Sequence, residues 1–266
     1  MSKKSAVECQ VRRSPSGQVE RDWVVVEEPL EIRVEGRPLA VTMRTPGHDR
    51  ELAAGFLYTE GCVDGADDLQ ALASVKDPRT QGDNIVDVRL AAGTPIPEAA
   101  LASAQRNLYA TSSCGICGKA SIDRVLRGAP PVSGLPELHA SLLLDLPAKM
   151  REAQKAFQET GGIHAAALFS LDGELEVLRE DVGRHNAVDK VLGWRLLQDR
   201  VPVQDCILMV SGRAGFELVQ KAVMAGVPAM VAVGAPSSLA VELANSSGMQ
   251  LVGFLRSGRF NRYTVS

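Results

Sequence analysis

The sequence predicts an α/β protein, a layered sheet with helices on both faces, joined to a smaller α+β N-terminal region. Three observations carry that class. Residues 206–210, 228–233 and 251–255 are uninterrupted apolar runs, the pattern of strands buried on both faces. Helical stretches at about 186–198, 216–225 and 239–246 alternate with these runs. Turn-forming residues mark the passages from strand to helix: Gly212 and Gly215 before the second helix, Ser237 or Ser238 as cap of the third.

The elements before them follow from period and punctuation. Residues 1–20 are polar and partly basic, with Lys3, Lys4, Arg12 and Arg13, and read as a disordered tail. They lack the apolar stretch of a signal peptide, so a cytoplasmic protein is expected. Leu30, Ile32 and Val34, then Leu39, Val41 and Met43, alternate with polar neighbours around Glu35-Gly36, predicting two half-buried strands. A helix over 48–60 ends at Gly61, and Val86, Val88 and Leu90 mark another strand. Pro97 opens a helix that ends near Tyr109. A helix over 147–160, an apolar strand over 163–171 and a return strand over 175–178 precede the helix at 186. The expected division is a tail (1–20), an N-terminal α+β region (21–110), a mobile cysteine loop and linker (111–135) and a C-terminal α/β domain (136–266).

Composition narrows the function. The 266 residues are 45% hydrophobic and 23% charged, an ordinary globular balance, and the net charge of −3 argues against a general nucleic-acid or membrane-surface binder. No apolar run reaches membrane-spanning length. Five sparse cysteines do not form a disulfide framework, which makes the close pair Cys114 and Cys117 a candidate for catalysis or metal binding.

The pair has four readings. A structural zinc needs four ligands, and Cys9, Cys62, Cys206 and the four histidines are isolated, so no metal site is assigned. A zinc deaminase needs His-x-Glu, but Ala165 and Ala166 follow His164, and no proline precedes Cys114. A thiol–disulfide pair remains open. Sulfur carriage needs an accessible thiolate among small neighbours. Gly115 and Gly118 give that space, Lys119 can lower the thiol pKa, and Cys117 can shield, relay or release the sulfur.

Other constellations are polar turns beside predicted strands. Gly212-Arg213-Ala214-Gly215 opens a helix, where free amides and a forked guanidinium suit an anion, or make an ordinary tight turn. Asp181 to Asn186 offers Arg184 and His185 to a ligand, or else an Asn186 cap and an Asp181–Arg184 ion pair. Helix capping explains His48 nearly as well as any chemistry. Arg256, Arg259 and Arg262 flank the last predicted strand as a solvated edge or a phosphate site.

Five segments together resemble the formate dehydrogenase accessory sulfurtransferase family. They are Thr45-Pro-Gly-His-Asp-Arg-Glu-Leu-Ala-Ala-Gly-Phe-Leu, Thr111-Ser-Ser-Cys-Gly-Ile-Cys-Gly, Glu180-Asp-Val-Gly-Arg-His-Asn-Ala-Val-Asp-Lys, Ser211-Gly-Arg-Ala-Gly-Phe-Glu and Gly253-Phe-Leu-Arg-Ser-Gly-Arg-Phe-Asn. The resemblance implies a sulfur carrier that takes persulfide sulfur from a cysteine desulfurase and passes it to the bis-molybdopterin guanine dinucleotide cofactor of formate dehydrogenase. It implies Cys114 as the persulfide residue, with Cys117 as its partner. It also implies a cytidine-deaminase-like C-terminal domain and a homodimer. The cofactor, or GDP as its fragment, is then expected on Phe254, Leu255, Arg256, Ser257, Gly258 and Arg259, with Gly212, Arg213, Gly215, Arg184 and His185 nearby. A cofactor-binding chaperone without sulfur chemistry and a thiol–disulfide oxidoreductase are the alternatives.

Overall fold

A computed structural model describes residues 5–77, 82–95, 98, 118–132, 135, 137–256 and 258–264. Cys114, Cys117, Ser257 and the predicted helix from Pro97 lie outside the described residues, apart from residue 98. No helix among the described residues is long and apolar enough to cross a membrane.

The chain opens with an antiparallel hairpin, β1 (Ala6–Arg12) and β2 (Val19–Val25). This corrects the expected tail over 1–20. Its polar composition concealed cross-strand pairing, in which Arg13 meets Glu20 and Asp22 at 3.2 Å and Arg21 meets Glu8 at 3.4 Å. A four-stranded sheet follows, built from β3 (Glu28–Val34), β4 (Arg37–Arg44), β5 (Leu69–Val75) and β6 (Ile85–Leu90) in the order β4-β3-β6-β5. Helix α1 (Asp49–Thr59) leaves β4, and a short 3-10 turn precedes β5. His48 sits at the N-cap position of α1 in a left-handed conformation, but its side chain makes no cap and instead meets Glu51 at 3.3 Å.

Helix α2 (Gly118–Gly128) lies inside the stretch expected to be loop and linker; Ile122 and Val125 are buried in the core, which holds it. Helix α3 (Ala140–Ala153) begins seven residues before the expected start, with Pro147 in its interior. Buried Leu143 and Leu146 before that proline, and Met150 after it, supply the packing that outweighs the lost backbone bond. A break at Gln154 separates α3 from α4 (Lys155–Thr160).

The C-terminal layer is a six-stranded mixed sheet made of β7 (His164–Ser170), β8 (Leu175–Asp181), β9 (Cys206–Val210), β10 (Ala229–Ala232), β11 (Gln250–Arg256) and β12 (Arg259–Arg262). The order is β12-β11-β10-β9-β7-β8. Strands β9, β10 and β11 run parallel, β7 runs against β9, and β8 runs against β7. Strand β8 is therefore parallel to β9. Helices α5 (Arg184–Leu197), α6 (Phe216–Met224) and α7 (Ser238–Ser247) share one core with Ala166, Leu168, Leu208, Val210 and Met230. Helix α3 covers the other face through Leu143, Leu146 and Met150, against Ala167, Phe169, Met209 and Val231. Helices on both faces, over strands β9 and β10 that are buried along their whole length, are what the apolar runs predicted.

The two sheets share the first core through α1 and α5. At their crossing, a Cβ on Gly55 would stand 1.8 Å from the Asp189 carbonyl oxygen, and one on Gly193 would stand 1.8 Å from that of Glu51. Only two hydrogens allow backbones so close. A bidentate pair from Arg179 to Glu51, at 2.6 and 2.8 Å, ties α1 to β8 beside the crossing.

Candidate functional site at the carboxyl edge of the sheet

Strand direction gathers the polar motifs. The carboxyl ends of β8, β9, β10 and β11 lie at one edge, with the start of the reversed β7 among them. Arg184 and His185 follow β8, and Gly212, Arg213 and Gly215 follow β9. Pro236 and Ser237 follow β10, and Phe254 and Arg256 close β11. Such an edge is where open α/β sheets place ligands.

The turns are fastened to each other through backbone. Ala214 bridges to Pro236, Gly234 N donates to Gly212 O at 2.9 Å, and Phe254 N donates to Gly234 O at 3.0 Å. A Cβ on Gly234 would lie 3.0 Å from the Arg213 Cα, so glycine lets these two turns touch. Strand β11 pairs with β10 through Val252 and then bulges, with Phe254 in the left-handed region at φ 55°. Helix α7 is capped by Ser237, whose hydroxyl accepts from Ala240 N, whereas α5 and α6 begin at Gly183 and Gly215 without a side-chain cap.

Arg184, Arg213, Arg256 and Arg259 are exposed and make no ion pair among the described residues. Arg262 differs: Glu137 takes it at 2.9 Å, Leu138 O accepts from it, and it lies over the Phe260 ring. It belongs to the fold rather than to a basic edge. Leu255 is fully buried in the core under α3, so of the expected cofactor stretch its side chain cannot face a ligand.

His185 Nε2 meets Glu217 at 2.8 Å, joining the starts of α5 and α6. That bond holds the Glu217 carboxyl below the usual carboxylate range, against the opposing effect of burial. His164 stands between these elements. Burial, then the charge of Arg184, pushes its imidazole below the ordinary histidine value and favours the neutral form.

The Asp181–Arg184 pair considered from sequence is not the one formed. Asp181 and Lys190 are buried together at 2.6 Å, and Thr45 N, Gly183 N and Asn186 Nδ2 donate to the same carboxylate. Lys190 also donates to Thr45 O, and Asn186 Nδ2 to Met43 O, so Asn186 clasps β4 instead of capping α5. A second buried lysine, Lys221, meets Asp189 at 3.0 Å and donates to Thr59. Sequence reasoning missed Lys190; the apolar Ala187 three residues earlier on the same helix face was the signal that could have found it.

On the α3 side, the edge opens into a cleft of about 500 Å³ lined by Met150, Gln154, Phe157, His164, Met209 and Ser211, among others. Sequence reasoning assigned nothing to Gln154 or Phe157, since neither lies in a polar turn. Glu176, Asp205 and Cys206 cluster elsewhere, around the buried guanidinium of Arg195, whose charge Glu176 and Asp205 already neutralise. Burial pushes the thiols of both Cys62 and Cys206 up to about 12.

The FdhD/NarQ family pattern matches residues 25–266. This chain belongs to the FdhD/NarQ family. A relative from Streptomyces avermitilis named Sulfur carrier protein FdhD is 54% identical over 252 residues, covering 91% of this chain and 87% of the relative. Relatives bearing the same name from Mycobacterium tuberculosis and Sulfurisphaera tokodaii are 51% and 44% identical, covering 91% and 95% of this chain and 90% and 93% of their own. The FdhD/NarQ chain is also similar to a solved structure from Desulfotalea psychrophila, described as a formate dehydrogenase accessory protein. The TM-score is 0.74 at 26% identity, over 98% of this chain and 96% of that one.

Proposed function

We propose that this chain is a sulfur carrier in formate dehydrogenase maturation. It accepts sulfane sulfur from a cysteine desulfurase on Cys114 and passes it to the bis-molybdopterin guanine dinucleotide cofactor, held as substrate at the carboxyl edge. The observation that carries the reading is the convergence on one edge of four arginines without an ion-pair partner among the described residues and two helix starts without side-chain caps. Helix amides bond phosphate oxygens directionally, and arginine adds charge and a planar fork. Relatives named as sulfur carriers, at up to 54% identity, support the carrier half.

The sulfur step needs a thiolate. The Cys114 thiolate attacks the outer sulfur of the donor's cysteine persulfide, the S–S bond breaks, and the donor cysteine leaves as thiolate. Cys117 can then release the sulfur as hydrosulfide, leaving a Cys114–Cys117 disulfide. Cys62 and Cys206, with thiols at about 12, are poor competitors for the attack. Helix α2 starts immediately after Cys117 and packs on α6 and α7, whose N-termini help build the edge. A homodimer in the cytoplasm, with formate dehydrogenase as recipient, completes the proposal. So does a cytidine-deaminase-like C-terminal layer, which the order β8-β7-β9-β10-β11 with β7 reversed supports.

Replacing Cys114 with alanine should abolish formate dehydrogenase activity in cells that depend on this protein, while Cys206→Ala should leave it nearly intact. Full activity with Cys114→Ala would remove Cys114 from the carrier role.

A further inference from the structure

We propose that helix α4 is a flap over the cleft beside the sheet edge and that Glu180 is the positioning residue that latches it. The proposal rests on the reading of the edge as a substrate site and adds how that site opens. Glu180 heads the motif that continues through Arg184 and His185, yet the inward network of Asp181, Asn186 and Lys190 leaves its side chain out. Successive side chains on a strand point to opposite faces, so Glu180 faces away from Asp181. Its carboxylate accepts from the backbone amides of Ala156 and Phe157, each at 2.8 Å. These are first-turn amides of α4, which starts at Gln154 without a side-chain cap of its own. A helix cannot satisfy such amides from within, and strand β8 supplies the acceptor instead.

Both ends of α4 are built to turn. At one end the backbone leaves helical geometry at Gln154, with φ −78° and ψ 80°. At the other, a left-handed turn at φ 65° accounts for Gly161. Gly162 has no positive φ, and a Cβ there would meet only Thr160 O, at an ordinary 3.8 Å. Neither strain nor crowding calls for that second glycine, and the pair leaves the backbone free to rotate. The helix has six residues, of which only Ala156 is buried, so little packing opposes movement. Strand β2 also packs on α4, but its hairpin is itself mostly exposed. Gln158 bonds the Arg151 and Glu152 carbonyls at 3.2 Å, at exposed positions where water competes. Glu180 is therefore the principal hold. Phe157, Gly161 and Gly162 line the cleft together with His164 and Ser211. A Cβ on Gly212 would lie 3.6 Å from His164 Nδ1, so the wall that α4 forms adjoins the turn that carries Arg213.

Amide exchange followed by NMR in the full chain reads the latch, and stopped-flow binding of GDP reads the flap. In Glu180→Ala the Ala156 and Phe157 amides should exchange at least about tenfold faster, as loss of a bond to a charged acceptor implies. Amides of β7 and β9 should keep their protection. GDP should both enter and leave severalfold faster, whereas mere damage to the site would speed release alone. Glu180→Gln keeps the shape and one accepting oxygen. It should fall between alanine and wild type in both readings, and it carries the test if the alanine variant does not fold. Ala156 and Phe157 amides that stay protected, or exchange that quickens equally in β7 and β9, overturn the latch. GDP kinetics equal to wild type overturn the flap. GDP that fails to bind wild type overturns the reading of the edge, and amide exchange alone then decides the latch.

Discussion

Residues 180–190 contain two populations of charged and polar side chains, and their fates diverge within a single turn of helix. Asp181, Asn186 and Lys190 turn inward and are consumed by one another and by Thr45. Arg184 and His185 turn outward to the edge, where, among the described residues, Arg184 has no ion-pair partner and His185 meets the exposed Glu217. The contrast shows that a polar motif is not a site as a unit. Its buried half fastens the N-terminal sheet to the C-terminal one, and its exposed half remains available to a ligand.

The largest effect should come from the inward half. Asp181→Ala strands the Lys190 ammonium in the core, a loss of about 3–5 kcal/mol for an orphaned partner of a buried pair. Urea unfolding measures it; a loss below 1 kcal/mol would show that the inward network is not what joins the two sheets. The outward half should behave oppositely. Arg213→Ala or Arg259→Ala should weaken GDP binding by about 1.5–3 kcal/mol if each makes a charged hydrogen bond to phosphate. Unfolding midpoints should stay within about 0.5 kcal/mol of wild type, as for other surface changes. If stability falls instead, these arginines belong with the inward group.

Gly193→Ala sharpens the comparison at the helix crossing. Alanine favours a helix, yet its methyl would collide with the Glu51 carbonyl, so overpacking by about 1–3 kcal/mol should prevail. Thermal unfolding that shows a more stable variant would mean that α1 and α5 can separate without cost.

A smaller effect concerns pH. The His164 pKa is depressed in the folded chain, so the unfolded chain binds its proton first on acidification. Stability is therefore complete above the ordinary histidine value of about 6.5 and is lost as pH falls from there through the folded value. Urea midpoints at pH 7.5 and 5.5 should show less acid sensitivity in His164→Gln than in wild type. An unchanged difference would place His164 in a more solvated setting.

Much of the C-terminal layer was legible because strands buried on both faces read as continuous apolar runs, as at 206–210 and 228–233. The hairpin β1–β2 was not, since its strands carry mostly exposed polar residues and are held partly by cross-strand charges. Strand β12 escaped notice for a similar reason, being four residues with no buried side chain. Pro147 resembled a helix start because proline suits the first turn, but packing of Leu143 and Leu146 carries the helix through it. At the site, the glycine turns and arginines were visible as local motifs. The cleft lined by Gln154 and Phe157 was invisible, because only the tertiary fold creates it. Arg262 looked like its arginine neighbours until the fold supplied Glu137.

The carrier claim is tested most directly by the intact mass of the protein after incubation with a cysteine desulfurase and cysteine. Wild type and Arg259→Ala should each gain one sulfur that a thiol reductant removes, and Cys114→Ala should gain none. Sulfur gained by Cys114→Ala, or none gained by wild type, would contradict the account.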